Sequence, residues 1–244
     1  MKKIFDIKGK IILVTGSNRG NGYEIARGLS DAGAKIIRID KNFNNSINSD
    51  DYKVNLLNEN EIKDFFDKFI KRYKRIDGLI NNAGISIKAK EPYKDLKVFD
   101  ETLSVNLRSA WILSSLSCSL MAKNKQGSII NITSLGAKLG FPDNPSYQIS
   151  KAGLRQMTKA MAVDWGSSGI RVNNICPGYI KTAMTKDSYS DNHLNVQRKD
   201  KTILERWGMP KDLIGASIFL TSDASSYITG SEIYVDGGWT AKGL

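Results

Sequence analysis

The stretch Ile11-Ile12-Leu13-Val14-Thr15-Gly16-Ser17-Asn18-Arg19-Gly20-Asn21-Gly22 changes character at its middle. Its first four residues form an uninterrupted apolar run, as in a strand covered on both faces. The glycines that follow, spaced Gly-x-x-x-Gly-x-Gly, suit a tight turn whose backbone amides approach an anion at a helix N-terminus. Residues 23–32 then carry apolar positions at helical spacing, Gly33 closes them, and 35–39 read as a second strand. A glycine-rich turn between strand and helix is common and says little alone. Asp40 gives it context, because a carboxylate ending the second strand suits the hydroxyls of an adenosine ribose and repels a 2′-phosphate. Arg19 in the turn and Lys41 after the aspartate act the other way, since either can pair with that phosphate. These residues predict a dinucleotide site with NAD preferred and NADP possible.

Outward from this unit the alternation continues. Helices are expected over 59–75, 99–123 and 147–165, and strands over 77–81, 127–132 and 170–175. Long amphipathic helices between apolar strands imply a parallel sheet covered on both faces. The fold class is therefore α/β, a doubly wound (Rossmann) parallel sheet in a single domain spanning 1–244. Between Asp40 and Asn55 the chain is rich in Asn and Asp without helical periodicity, and a loop is expected there. Ligands in such sheets sit beyond the carboxyl ends of the strands. Asn82-Ala83-Gly84 occupies one such end, just past Asn81.

Composition narrows the function classes. Of 244 residues, 41% are hydrophobic and 25% charged, which excludes a disordered chain. No apolar window has the length of a membrane span or a signal peptide, so a cytoplasmic protein with no membrane partner is expected. Cys118 and Cys176 lack metal-ligand spacing and His193 is the single histidine, so no metal site is expected and both thiols should be buried. The net charge of +11 could suit nucleic acid or an acidic partner. However, Lys63, Lys68, Lys71 and Lys74 interleave with Glu61, Asp64 and Asp67 at helical spacing, which describes a solvated helix face and predicts no nucleic-acid partner.

Tyr147 and Lys151 lie four apart at the start of a predicted helix and share a face, and Ser134 sits just past the preceding strand. An ammonium roughly 5 Å from the phenol, at an effective dielectric of about 20, favours phenolate by about 3 kcal/mol and should lower the tyrosine pKa by roughly two. That would make Tyr147 a usable acid and base. The spacing alone is weak, because Tyr93 and Lys97 share it. Thirteen residues before Tyr93 stands Ile80, whereas thirteen before Tyr147 stands Ser134. There is no Gly-x-Ser-x-Gly elbow of a serine hydrolase.

With these residues in view, the chain resembles the short-chain dehydrogenase/reductase family over residues 8–243. The family's Thr-Gly-x-x-x-Gly-x-Gly pattern falls on Thr15 to Gly22, its Asn-Asn-Ala-Gly element on Asn81 to Gly84, and its catalytic asparagine on Asn106. The active-site Ser, Tyr and Lys fall on Ser134, Tyr147 and Lys151, and the Pro-Gly element on Pro177-Gly178. The resemblance implies an NAD- or NADP-dependent oxidoreductase acting on a small alcohol or ketone, a sugar, sugar acid or sugar phosphate. Tyr147 would exchange the proton with the substrate oxygen, Ser134 would hydrogen-bond that oxygen, Lys151 would also hold the nicotinamide ribose, and Asn106 would position a water. It further implies cofactor contacts from Gly16, Asn18, Arg19, Gly20, Asn21, Asp40, Asn55, Leu56, Asn82, Ala83, Gly84, Tyr147, Lys151, Pro177, Gly178, Ile180 and Thr182. Two residues depart from the pattern: Asn21 replaces an aliphatic residue, and Asn55 stands where an aspartate commonly contacts adenine.

The resemblance also places a small substrate lid at about 183–206. It contains Lys186, His193, Arg198, Lys199, Lys201 and Arg206, which could grip a carboxylate or phosphate, although solvated charge is the ordinary reading of each. The C-terminal runs Arg206-Trp207-Gly208 and Val235-Asp236-Gly237-Gly238-Trp239 are similar to sugar and sugar-acid oxidoreductases of the gluconate 5-dehydrogenase-like branch, and more loosely to those of surface-glycan synthesis. Alternatives are an NADPH-dependent 3-oxoacyl-(acyl carrier protein) reductase and a non-catalytic dinucleotide-binding protein. The presence of all four catalytic positions weighs against the last. A homotetramer built on the helices predicted at 99–123 and 147–165 is also implied.

Overall fold

The computed structural model describes residues 4–43 and 48–242. Seven parallel strands form one sheet in the order β3-β2-β1-β4-β5-β6-β7. They are β1 (Ile11–Thr15), β2 (Lys35–Asp40), β3 (Asp51–Lys53), β4 (Gly78–Asn81), β5 (Gly127–Ile132), β6 (Ile170–Pro177) and β7 (Glu232–Val235). The order reverses between β1 and β4, and a crevice opens at the carboxyl ends where neighbouring strands feed helices on opposite faces.

Successive residues of a strand point to opposite faces, and the core divides accordingly. Leu13, Ile37, Ile39, Leu79, Ile129 and Val172 pack on one side with Phe65, Phe66 and Phe69 of α2 (Glu59–Tyr73), Leu113 of α4 (Ser109–Met121) and Leu154 of α5 (Pro145–Trp165). Ile12, Val14, Ile80, Ile130, Ile132 and Ile175 pack on the other with Ile25 and Leu29 of α1 (Gly20–Asp31) and Leu220. Both cysteines are free and buried. The side chains of Lys63, Lys68, Lys71 and Lys74 are exposed, as a solvated helix face requires.

Three sequence expectations need correction. The helix expected over 99–123 is broken: α3 (Leu96–Leu103) runs into a π-helical turn at Ser104–Arg108 before α4 begins. One wide turn leaves the apolar spacing on either side intact, so periodicity cannot register it. The helix expected from 23 starts at Gly20, so the last two glycines of the turn are already helical. The region expected to be a loop, 40–55, has no helix among its described residues but does contain β3, which pairs with β2. Arg38 Nε secures this edge by donating to Asp51 Oδ1 at 2.6 Å.

Candidate active site

The glycine-rich turn is shaped by close approach. Gly16 has φ +63°, and a Cβ there would lie 2.8 Å from Ala83 Cα; on Gly22 it would lie 2.2 Å from the Gly16 carbonyl oxygen. Asn82 joins the turns after β1 and β4, donating from Nδ2 to the Thr15 and Gly16 carbonyls at 3.0 and 3.1 Å, while Thr15 Oγ1 accepts from the amides of Asn82 and Ala83. Asp40 reaches the same turn, where its Oδ2 accepts from the Asn18 amide at 2.9 Å. A Cβ on Gly20 would meet the Thr182 methyl at 3.6 Å, so the chain after β6 lies over the turn. Val54 N donates to the Asp40 carbonyl at 2.9 Å, which places Asn55 beside the end of β2. The Asn55 Oδ1 there accepts from the Leu57 amide, and Leu56 packs on the core. Arg19 and Lys41 are exposed.

A dinucleotide fits this cradle. Its glycines leave space that any Cβ would fill, its helix presents the amides of a first turn without acidic side chains, and Asn21 Oδ1 is buried without a hydrogen-bond partner.

Ser134, Tyr147 and Lys151 converge beyond β5. Asn144 caps α5 by accepting from the Tyr147 amide at 3.3 Å, and Pro145 opens the helix where its missing N–H costs nothing. The Ser134 hydroxyl lies close enough to the Tyr147 phenol to favour its ionised form. Lys151 Nζ lies 5.8 Å from the Tyr147 ring centroid and donates to the Ile132 carbonyl at 2.7 Å. The sequence-based expectation of a lowered tyrosine pKa is overturned. Burial pushes the Tyr147 phenol above its ordinary value, against the effect of the Ser134 hydroxyl and with help from Tyr179. Burial likewise pushes the Lys151 ammonium down to about 8. Loss of water penalises both charged forms, and it outweighs the opposing effects of Ser134 on the phenol and of Cys176 on the ammonium.

Asn106 sits in the π-helical turn at 1% exposure. Its Oδ1 accepts from the Ile85 amide at 2.8 Å, and its Nδ2 donates to the Ile85 carbonyl and to Ser150 Oγ. Ser150 in turn donates to the Tyr147 carbonyl at 2.7 Å. A Cβ on Gly84 would be 3.4 Å from both Asn106 Oδ1 and Lys151 Nζ. Asn82-Ala83-Gly84 thus links the turn to this cluster. Pro177 ends β6, and Gly178 fits only without a side chain, since a Cβ would lie 2.7 Å from Asp236 Cα. Ile180 bridges to Gly208, and its carbonyl accepts from Thr185 Oγ1.

The sequence did not single out Ser150 or Tyr179. Ser150 precedes Lys151 and Tyr179 follows Gly178, so adjacency to known positions was the available signal. The decoy Tyr93 is 87% exposed, far above what a reaction centre requires, and His193 is exposed as expected. Among the described residues no His, Cys, Asp and Glu cluster could hold a metal, and no helix is long and apolar enough to cross a membrane.

Residues 16–240 match a family described as enoyl-(acyl carrier protein) reductase, within which lie the cradle and all four converging residues. The chain belongs to the short-chain dehydrogenase/reductase family. It is 39% identical to a 2-dehydro-3-deoxy-D-gluconate 5-dehydrogenase of Formosa agariphila, over 96% of this chain and 94% of the relative. A gluconate 5-dehydrogenase of Burkholderia cenocepacia, solved with NADP and tartrate, superposes with a TM-score of 0.91 at 32% identity, covering 98% of each chain. A 4-hydroxyisoleucine dehydrogenase complexed with NADH superposes at 0.90 and 32% identity, covering 96% of this chain and all of that one. This short-chain dehydrogenase/reductase is an oxidoreductase that uses NAD or NADP.

Proposed function

We propose that the chain interconverts a secondary hydroxyl and a ketone on a sugar acid, with NAD as preferred cofactor. The observation that carries the chemistry is the Tyr147 phenol, set near the Ser134 hydroxyl and flanked by the buried Lys151 ammonium, at strand ends next to a glycine cradle. The sugar-acid class is supported by the names of the relatives, two of which act on gluconate or a deoxy derivative.

When bound, the nicotinamide cofactor supplies or accepts the hydride. The turn from Gly16 to Gly22, including Asn18, Arg19, Gly20 and Asn21, would hold its pyrophosphate, Asp40 the adenosine ribose, and Asn55 and Leu56 the adenine. Asn82, Ala83 and Gly84 would line its middle, Tyr147 and Lys151 would hold the nicotinamide ribose, and Pro177, Gly178, Ile180 and Thr182 the carboxamide end. Tyr147 gives its proton to a ketone oxygen or takes it from a hydroxyl, and Ser134 holds that oxygen. Lys151 keeps positive charge beside the phenol. Asn106 acts as a positioning residue: through Ser150 it braces the first turn of α5, and one Oδ1 lone pair remains for a water.

Residues 1–244 are read as one domain whose lid spans about 183–206, where short helices Lys186–Ser190 (α6) and Asn192–Asp200 (α7) follow Thr182. The protein is read as cytoplasmic and as a homotetramer, the latter supported by exposed Trp111, Ile149 and Val163 on α4 and α5. Sedimentation at four chain masses is expected, and a monomer would overturn it.

Fluorescence titration with NADH and NADPH, followed by turnover of keto sugar acids, neutral ketoses and 3-oxoacyl thioesters, tests the proposal. Tighter NADH binding and turnover of a keto sugar acid are expected. NADPH preference with thioester turnover would overturn it.

A further inference from the structure

The lid carries six residues that could meet an anion, and the structure separates one from the rest. Arg206 is held by Asp212 at 2.7 and 3.3 Å and donates to the Trp207 carbonyl. Lys186, His193, Lys199 and Lys201 are exposed. Arg198 on α7 is half-buried, with its guanidinium carbon 4.7 Å from the Tyr179 ring centroid. Its Nη1 donates at 2.6 Å to the neutral amide oxygen of Gln197, and its Nε is buried without a hydrogen-bond partner. Among the described residues no carboxylate pairs with it. A guanidinium N–H withdrawn from water and left unbonded is costly, and an accepting carboxylate would satisfy it.

Tyr179 connects this group to the reaction centre. It follows Gly178 at the end of β6 and packs against Phe141, Trp207 and Trp239, with ring centroids 6.4, 5.5 and 5.0 Å away. It is also close enough to Tyr147 to contribute to holding that phenol protonated. Trp207 Nε1 donates to Asn195 Oδ1 at 2.8 Å, which fastens the middle of α7 to the same aromatic floor. Tyr179 is therefore the ring that Arg198 stacks on and that also acts on the Tyr147 phenol.

We propose that Arg198 is a specificity-determining residue that binds the substrate carboxylate while Tyr147 and Ser134 hold the reacting oxygen. The assignment rests on the sugar-acid reading above and deepens it by naming the side chain that selects acids over neutral sugars.

The test compares wild type with Arg198→Gln, Arg198→Lys and Lys199→Gln. Two quantities are read: tartrate binding to the NADH complex by fluorescence, and KM and kcat for 5-keto-D-gluconate and for the neutral ketose D-fructose. Arg198→Gln is expected to weaken tartrate binding roughly ten- to hundredfold and raise the KM for the keto acid similarly, with a much smaller change in kcat. Lys199→Gln, which removes the same charge from an exposed position of the same helix, should change either by less than about twofold. Arg198→Lys should recover part of the loss, and it carries the comparison if Arg198→Gln no longer binds NADH. Tartrate binding that is unchanged in Arg198→Gln would overturn the assignment and leave the sugar-acid reading standing. A wild-type enzyme that prefers D-fructose to the keto acid would overturn the reading itself, and the assignment with it.

Discussion

Tyr147 and Lys151 are displaced from their ordinary pKa values in opposite directions by the same cause. Burial favours the neutral form of each, raising the phenol and bringing the ammonium down to about 8. At neutral pH the tyrosine therefore keeps its proton and most of the lysine keeps its charge, the state needed to protonate a ketone. Lysine loses its charge as pH rises through its pKa, so kcat/KM for ketone reduction should be level through neutrality and fall above about 8. A pH profile that stays flat to about 10, the ordinary tyrosine value, would contradict this. Ser134, Tyr147 and Lys151 were legible in the sequence because helical spacing and one upstream serine suffice to bring them together. Asn106 was legible only by resemblance, since its use depends on the Ile85 main chain, which no spacing rule places beside it. Tyr179 was missed because its surroundings are assembled from four separated segments.

At the scale of elements, a buried polar line crosses the sheet under the site. Asn81 Nδ2 donates to Ser114 Oγ and Asn131 Oδ1 at 2.9 and 2.8 Å, Asn131 Nδ2 donates to Thr158 Oγ1 at 2.7 Å, and Thr158 donates to Asn174 Oδ1 at 2.6 Å. It fastens β4, β5 and β6 to α4 and α5, and so fixes the helix that carries Tyr147. Asn131 is fully buried, and its loss strands a donor and an acceptor. Asn131→Ala should cost about 2–4 kcal/mol and lower the melting temperature by roughly 5–15 °C. A change below about 1 kcal/mol in denaturant unfolding would show that water replaces the link. The long strands and helices were readable because apolar runs and helical spacing are strong over their lengths. The three residues of β3 are too few to show a period and are defined by pairing with β2. The π-helical turn was hidden because it inserts backbone width without disturbing side-chain order. Such turns recur at functional sites, and here one carries Asn106.

For the whole molecule, sheet order brings the ends of β1, β2, β4, β5 and β6 to one rim, so residues spread from Gly16 to Thr182 meet there. Charge on faces such as α2 is balanced, since exposed lysines alternate with acids and Lys63 pairs with Glu59 at 2.7 Å. The central claim is that this rim is a proton-and-hydride transfer site run by Tyr147. The most direct measurement is Tyr147→Phe, assayed for NADH binding by fluorescence and for turnover of 5-keto-D-gluconate by loss of reduced-nicotinamide absorbance. The account predicts NADH affinity within about threefold of wild type, because the hydroxyl acts mainly in proton transfer, and turnover reduced by at least a hundredfold. Tyr147→Phe enzyme that turns over the keto acid at near wild-type rate would contradict it.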